Sequence, residues 1–132
     1  MSVRLAWAAA AALAAGCGPL FAVPDISTVP ASPAWATDVK PYLADHCLVC
    51  HGDAADRGAR DFYRLDVCDI HDPADTDQKL GAWDMRSGIL DRAVARRTMP
   101  PVWLGEGLGP NGRELLRRWI MDRVDYNDAC GY

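Results

Sequence analysis

The chain has 132 residues, of which 14 are basic and 18 acidic, giving a formal net charge of −4 with histidine neutral. That balance argues against a nucleic-acid partner, which needs a concentrated positive surface. The length suits one modest domain whose core would gain from a covalent staple or a bound cofactor, and it leaves no room for a second domain.

At the N-terminus, Arg4 precedes an apolar run from Leu5 to Ala15, shorter than the roughly 20 residues that span a bilayer. Residues 1–16 therefore read as a signal peptide. The run closes in Leu13-Ala14-Ala15-Gly16-Cys17, small residues before a cysteine, which resembles the lipobox of bacterial lipoproteins. The resemblance implies cleavage before Cys17, lipidation of Cys17 and a domain held by its lipid on the periplasmic side of a membrane. An ordinary cleavage site followed by an incidental cysteine, and an uncleaved anchor, are the other readings. Residues 17–36 carry Pro19, Pro24, Pro30 and Pro33 with Ser27 and Ser32, a spacing in which no helical or strand period survives. They are expected to form a tether, spanning up to about 60 Å if extended like polyproline. The domain itself is expected over residues 37–132. Charge is uneven: residues 84–132 hold 8 arginines and 7 acidic residues, whereas 17–83 hold 5 basic and 11 acidic.

Helical signals begin at Thr37 or Asp38, either of which can cap, with Pro41 in the first turn and Val39, Leu43 and Cys47 on one face. A second pattern runs from about Asp84 to Arg97. Its apolar stripe is Ile89, Leu90, Ala93 and Val94, it is weakened by Gly88, and Arg86, Arg92, Arg96 and Arg97 decorate its other face. The clearest helix follows Pro110, with Asn111 as N-cap, Glu114 three residues on, and Leu115, Leu116, Trp119, Ile120 and Val124 on one side. No stretch alternates convincingly as a strand. Residues 52–83, rich in aspartate, read as loop with at most one helical turn.

The most specific signal is Cys47-Leu48-Val49-Cys50-His51, the attachment pattern of c-type haem. Two thiols three residues apart can add to the two vinyl groups of one haem, and the next residue presents an imidazole to its iron. Shuffling a chain of this composition yields roughly 0.004 such matches, so chance is a poor competitor. A thioredoxin-like redox pair would follow a strand in an α/β pattern, which is missing here, and a zinc site would want two more ligands at defined spacing. Candidates for a sixth iron ligand are Met85, Met99, Met121, His46 and His71. Met99 is favoured because Thr98-Met99-Pro100-Pro101 cannot be helical and can present one thioether from a stiff turn. Met85 and Met121 fall in helical patterns and read as core filling. His46 is expected to point away from the iron, and His71 to be a solvated imidazole, with a bis-histidine haem as the minority alternative.

Taken together, Cys47 to His51, Thr98 to Pro101 and the helical Arg113 to Ile120 resemble a class I cytochrome c domain, over residues 37–127. The resemblance implies an all-α fold of three to five helices wrapped round one covalent haem c, with the first and last helices crossing. It further implies His51 as the proximal iron ligand, Met99 as the distal one, and Leu43 packed against Trp119. One departure is that Val39 stands where the family often has glycine at the helix crossing. With Cys17 assigned to lipid and Cys47 and Cys50 to haem, Cys68 and Cys130 remain for a disulfide, the alternative being two isolated buried thiols. Asp66, Asp69, Asp72, Asp75 and Asp77 lack the glycine and terminal glutamate of a calcium loop and read as a solvated acidic loop. The expected function is electron transfer to and from redox partner proteins, without substrate turnover. A haem-based sensor, or the haem subunit of a larger membrane-side oxidoreductase, are the alternatives.

Overall fold

In the computed structural model, residues 25–55, 63–104 and 107–132 are described. The signal peptide and Cys17 lie outside them. The proline-rich stretch packs earlier than expected: Val29, Pro33 and Trp35 are buried. Prolines leave carbonyls with no helical donor, and two guanidinium groups supply one. Arg118 Nη1 donates to the carbonyls of Val29 at 2.8 Å and Pro30 at 3.1 Å, and Arg123 Nη2 donates to that of Pro33 at 2.6 Å. The part of the expected tether from Val29 onward therefore belongs to the folded domain.

A π-helical turn, Trp35–Val39, leads into helix α1, Lys40–His46. The turn starts two residues before the expected cap, because the Asp38 carboxylate reaches back to accept from the Ala34 N–H at 2.8 Å. Val39 and Leu43 are buried and Cys47 packs against the same core, so the expected face is kept. Cys47 interrupts the helix, and α2, Leu48–His51, carries the rest of the haem-attachment pattern.

Between residues 63 and 85 the chain is turns, with one isolated parallel bridge between Tyr63 and Leu80. The acidic loop is not solvated: Asp69, Asp72 and Asp75 are buried. Their carboxylates substitute for absent secondary structure by accepting backbone N–H groups. Asp72 takes those of Cys68 and Ala74, Asp69 that of His71, and Asp75 that of Asp77, at 2.8, 2.9, 2.8 and 3.1 Å. Buried Arg64 adds positive charge, bonding Asp66 through Nε at 3.0 Å and lying 3.4 Å from Asp53 and 3.7 Å from Asp75.

Helix α3, Arg86–Ile89, widens into a second π-helical turn, Leu90–Ala95. Arg97, at φ 56°, ends it in the left-handed region, and the Thr98 and Met99 N–H groups donate to the Arg92 carbonyl at 2.7 and 3.1 Å. A short 3₁₀ turn follows at Val102–Leu104. Helix α4, Pro110–Met121, is capped by Gly109 and not by Asn111, whose amide bonds the Thr28 hydroxyl at 3.2 Å. Glu114 turns to Arg117 and Arg118, at 2.8 and 2.7 Å. Leu115, Leu116, Trp119 and Ile120 are buried, but α4 stops before Val124, which is 90% exposed. Helix α5, Tyr126–Cys130, had no sequence signal; Asp125 caps it by accepting the Asp128 N–H at 3.1 Å.

These elements are all helical, with no strand among the described residues, as the all-α expectation requires. The core centres on Trp119, fully buried, with Trp35 stacked on it and Trp83 edge-on, each with ring centroids 5.6 Å away. Leu43 shares this core, but the aromatic partners of Trp119 are the two tryptophans. The close approach of α1 and α4 uses a glycine on α4: a Cβ at Gly112 would lie 1.6 Å from the Tyr42 hydroxyl. Cys68 and Cys130 form a disulfide with Cα atoms 5.7 Å apart, tying α5 to the aspartate-rich loop.

Candidate functional site

One cavity of about 780 Å³ opens between these elements, within the range of roughly 300–1,000 Å³ typical of cofactor sites. Its first wall is the end of α1 with Cys47, Val49, Cys50 and His51 of the attachment pattern. Met85, just before α3, and Gly88, Ile89, Arg92 and Ala93 of α3 and the π turn also line it. Their spacing of three and four residues follows one face of a helix. The segment after Arg97 brings Met99, Pro100, Pro101, Trp103 and Leu104, and Leu108 and Leu116 add apolar surface.

Burial tunes the polar groups. His51 is half-buried, its pKa is pushed below the ordinary value by desolvation, and among the described residues its buried Nδ1 has no hydrogen-bond partner. A neutral imidazole suits a metal ligand, because it keeps a lone pair on one ring nitrogen. Cys47 and Cys50 are free thiols. Burial, then the neighbouring Cys50, push the Cys47 thiol up to about 11, so it stays protonated at neutral pH. Gly88 leaves a cradle: a Cβ there would touch only the Met85 methyl, at 3.8 Å. Volume, apolar walls, paired thiols and a neutral imidazole together fit a haem.

The structure brings Cys47, Cys50, His51 and Met99 to one cavity, together with Met85. Met85 packs against the core as well, whereas Met99 stands apart from that cluster on a non-helical turn. Met121 is exposed, and His71 lies outside the cavity against Tyr126, with ring centroids 5.0 Å apart. His46, expected to face away, lines the cavity and packs on Tyr42 at 4.4 Å, because α1 ends where the cavity begins. Tyr63, Gly88 and Trp103 were not foreseen as site residues. Gly88 had a signal, an otherwise costly glycine in a helical pattern; the other two had none.

Residues around the opening are apolar and exposed: Val102 at 81%, Trp103 at 73% and Val49 at 65%. No helix among the described residues is long and apolar enough to cross a membrane. Comparison with protein-family models, with curated proteins and with solved structures finds no match to this chain.

Proposed function

We propose that this chain is a single-haem c-type cytochrome that transfers electrons outside the cytoplasmic membrane, in a fold of the class I cytochrome c kind. The observation that carries the reading is that Cys47, Cys50 and His51, close together in sequence, line one apolar cavity with the distant Met99. Cys47 and Cys50 would each hold the haem by a thioether, the thiol giving its sulfur to one vinyl carbon and its proton to the other. His51, kept neutral by burial, would offer a nitrogen lone pair to the iron, and Met99, which lines the same cavity, would offer its thioether. Bound haem supplies a one-electron ferrous–ferric couple, which a methionine ligand biases toward the reduced state. The cavity lining is mostly apolar, and Arg92 is a cationic side chain at the cavity. On this reading the protein would act as a carrier between redox partners, without substrate turnover.

Two measurements test this. Acid acetone should leave the haem on the polypeptide; haem that extracts would overturn covalent attachment. The oxidised protein should show the weak far-red sulfur-to-iron band, lost in Met99→Ala but kept in Met85→Ala and Met121→Ala. Loss in Met85→Ala alone would give the position to Met85. The Cys17 lipobox supports an anchor on the periplasmic side, for which Cys17→Ser should release the protein into the soluble fraction.

A second reading, the haem subunit of a larger membrane-side oxidoreductase, is favoured by the exposed Val102 and Trp103 beside the cavity. Co-purification of a stoichiometric partner after gentle solubilisation would select it.

A further inference from the structure

Tyr63 lies nearly parallel to the imidazole of His51, with ring centroids 4.9 Å apart and planes 19° from parallel. The pairing is not a chance meeting of two loose side chains. Three consecutive residues pin the segment: Tyr63 bridges to Leu80, the Arg64 N–H donates to the Leu80 carbonyl at 2.8 Å, and the Leu65 N–H donates to the His51 carbonyl at 2.7 Å. Arg64 fastens the same strip from its other end through Asp53, Asp66 and Asp75. The backbone that carries the Tyr63 ring is therefore bonded to the residue whose ring it covers.

An imidazole bound through one nitrogen can still rotate about its bond to the metal and about Cβ–Cγ. A hydrogen bond at the other nitrogen usually stops that rotation. Among the described residues the buried His51 Nδ1 has no such partner, and the stacked phenol ring is a contact that can restrain the imidazole plane.

We infer that Tyr63 is a positioning residue, fixing the rotational orientation of the His51 ring at the haem iron by stacking. The inference rests on the haem reading above. The plane of an axial imidazole selects which iron d orbital carries the unpaired spin in the low-spin ferric state. It thereby sets the order and spread of the paramagnetically shifted haem-methyl resonances.

The test compares haem-loaded wild type, Tyr63→Phe, Tyr63→Leu and Tyr63→Met, the last two in parallel so that one misfolded variant does not silence it. Covalent haem is first quantified per polypeptide, then proton NMR of the oxidised proteins records the haem methyls. Tyr63→Phe, which keeps the ring, should retain the wild-type order, and Leu and Met should change it at unchanged haem content. The wild-type order in all variants, or a Phe variant that behaves like Leu, overturns stacking as the restraint while leaving the cytochrome reading intact. Wild type without covalent haem sinks both.

Discussion

Removing the Cys68–Cys130 disulfide should cost more stability than any single side-chain contact in this domain. The bridge closes a loop with a sequence separation of 62. The chain-entropy relation for a loop of that length gives about 4.3 kcal/mol at 25 °C, a large fraction of the 5–15 kcal/mol typical of a domain. Converted at about 4 °C or more per kcal/mol, the Cys68→Ala/Cys130→Ala protein should melt roughly 20 °C lower. Both half-cystines are buried, so alanine is preferred to serine, which would bury an unpaired hydroxyl and confuse the reading. Urea titration of both proteins, followed by far-ultraviolet circular dichroism, supplies the free energy and its denaturant slope. If the entropy argument is right, the slope rises as well, since the uncrosslinked unfolded chain exposes more surface. A loss under about 1 kcal/mol with an unchanged slope would refute it, and would mean that the aspartate turns hold the loop 69–83 unaided.

Two more outcomes follow from the helices. Arg117, then Arg118, hold the Glu114 carboxyl down to about 2 by hydrogen bonding. A carboxyl whose folded pKa is depressed stabilises above its unfolded value near 4.5 and loses that contribution as pH falls through the folded value. The acid denaturation curve of Glu114→Gln should therefore be flatter between about 4.5 and 2 than that of wild type, and superimposable curves would contradict it. Gly112→Ala should destabilise by about 1–2 kcal/mol, because displacing the Tyr42 ring outweighs the gain in helix propensity of about 1 kcal/mol. In a Tyr42→Ala background the same change should become stabilising, and a thermal melt of the four proteins in that cycle decides it.

What could be read in advance was whatever local chemistry dictates. Cysteines and a histidine at fixed spacing announce their joint use, prolines forbid helix around Met99, and Leu115, Leu116, Trp119 and Ile120 repeat at helical spacing. Long-range choices of partner left no such trace. Asn111 had every local reason to cap its helix, yet it bonds Thr28, 83 residues away, and Gly109 caps instead. The aspartates looked solvated because their charge is visible in the sequence, while the backbone N–H groups that neutralise their burial cost are not. Val39 read as an obstacle at the helix crossing, but the missing side chain is supplied by Gly112, one helix away and undetectable as a pair without the fold. Tyr63 was invisible for the same reason: its meaning lies in the ring it covers.

The arginine-held carbonyls of Val29, Pro30 and Pro33 also set how far a lipid-anchored domain can roam. If, as proposed, Cys17 carries a lipid, no more than the stretch before Val29 is left as a tether, which at roughly 3.1 Å per residue would reach at most about 37 Å. A leash reaching about 37 Å in place of 60 Å sweeps about a quarter of the volume, so a redox partner in the same membrane meets the domain at about a fourfold higher effective concentration. Arg118 and Arg123, remote from the cavity, would in this way govern how often it meets its partners.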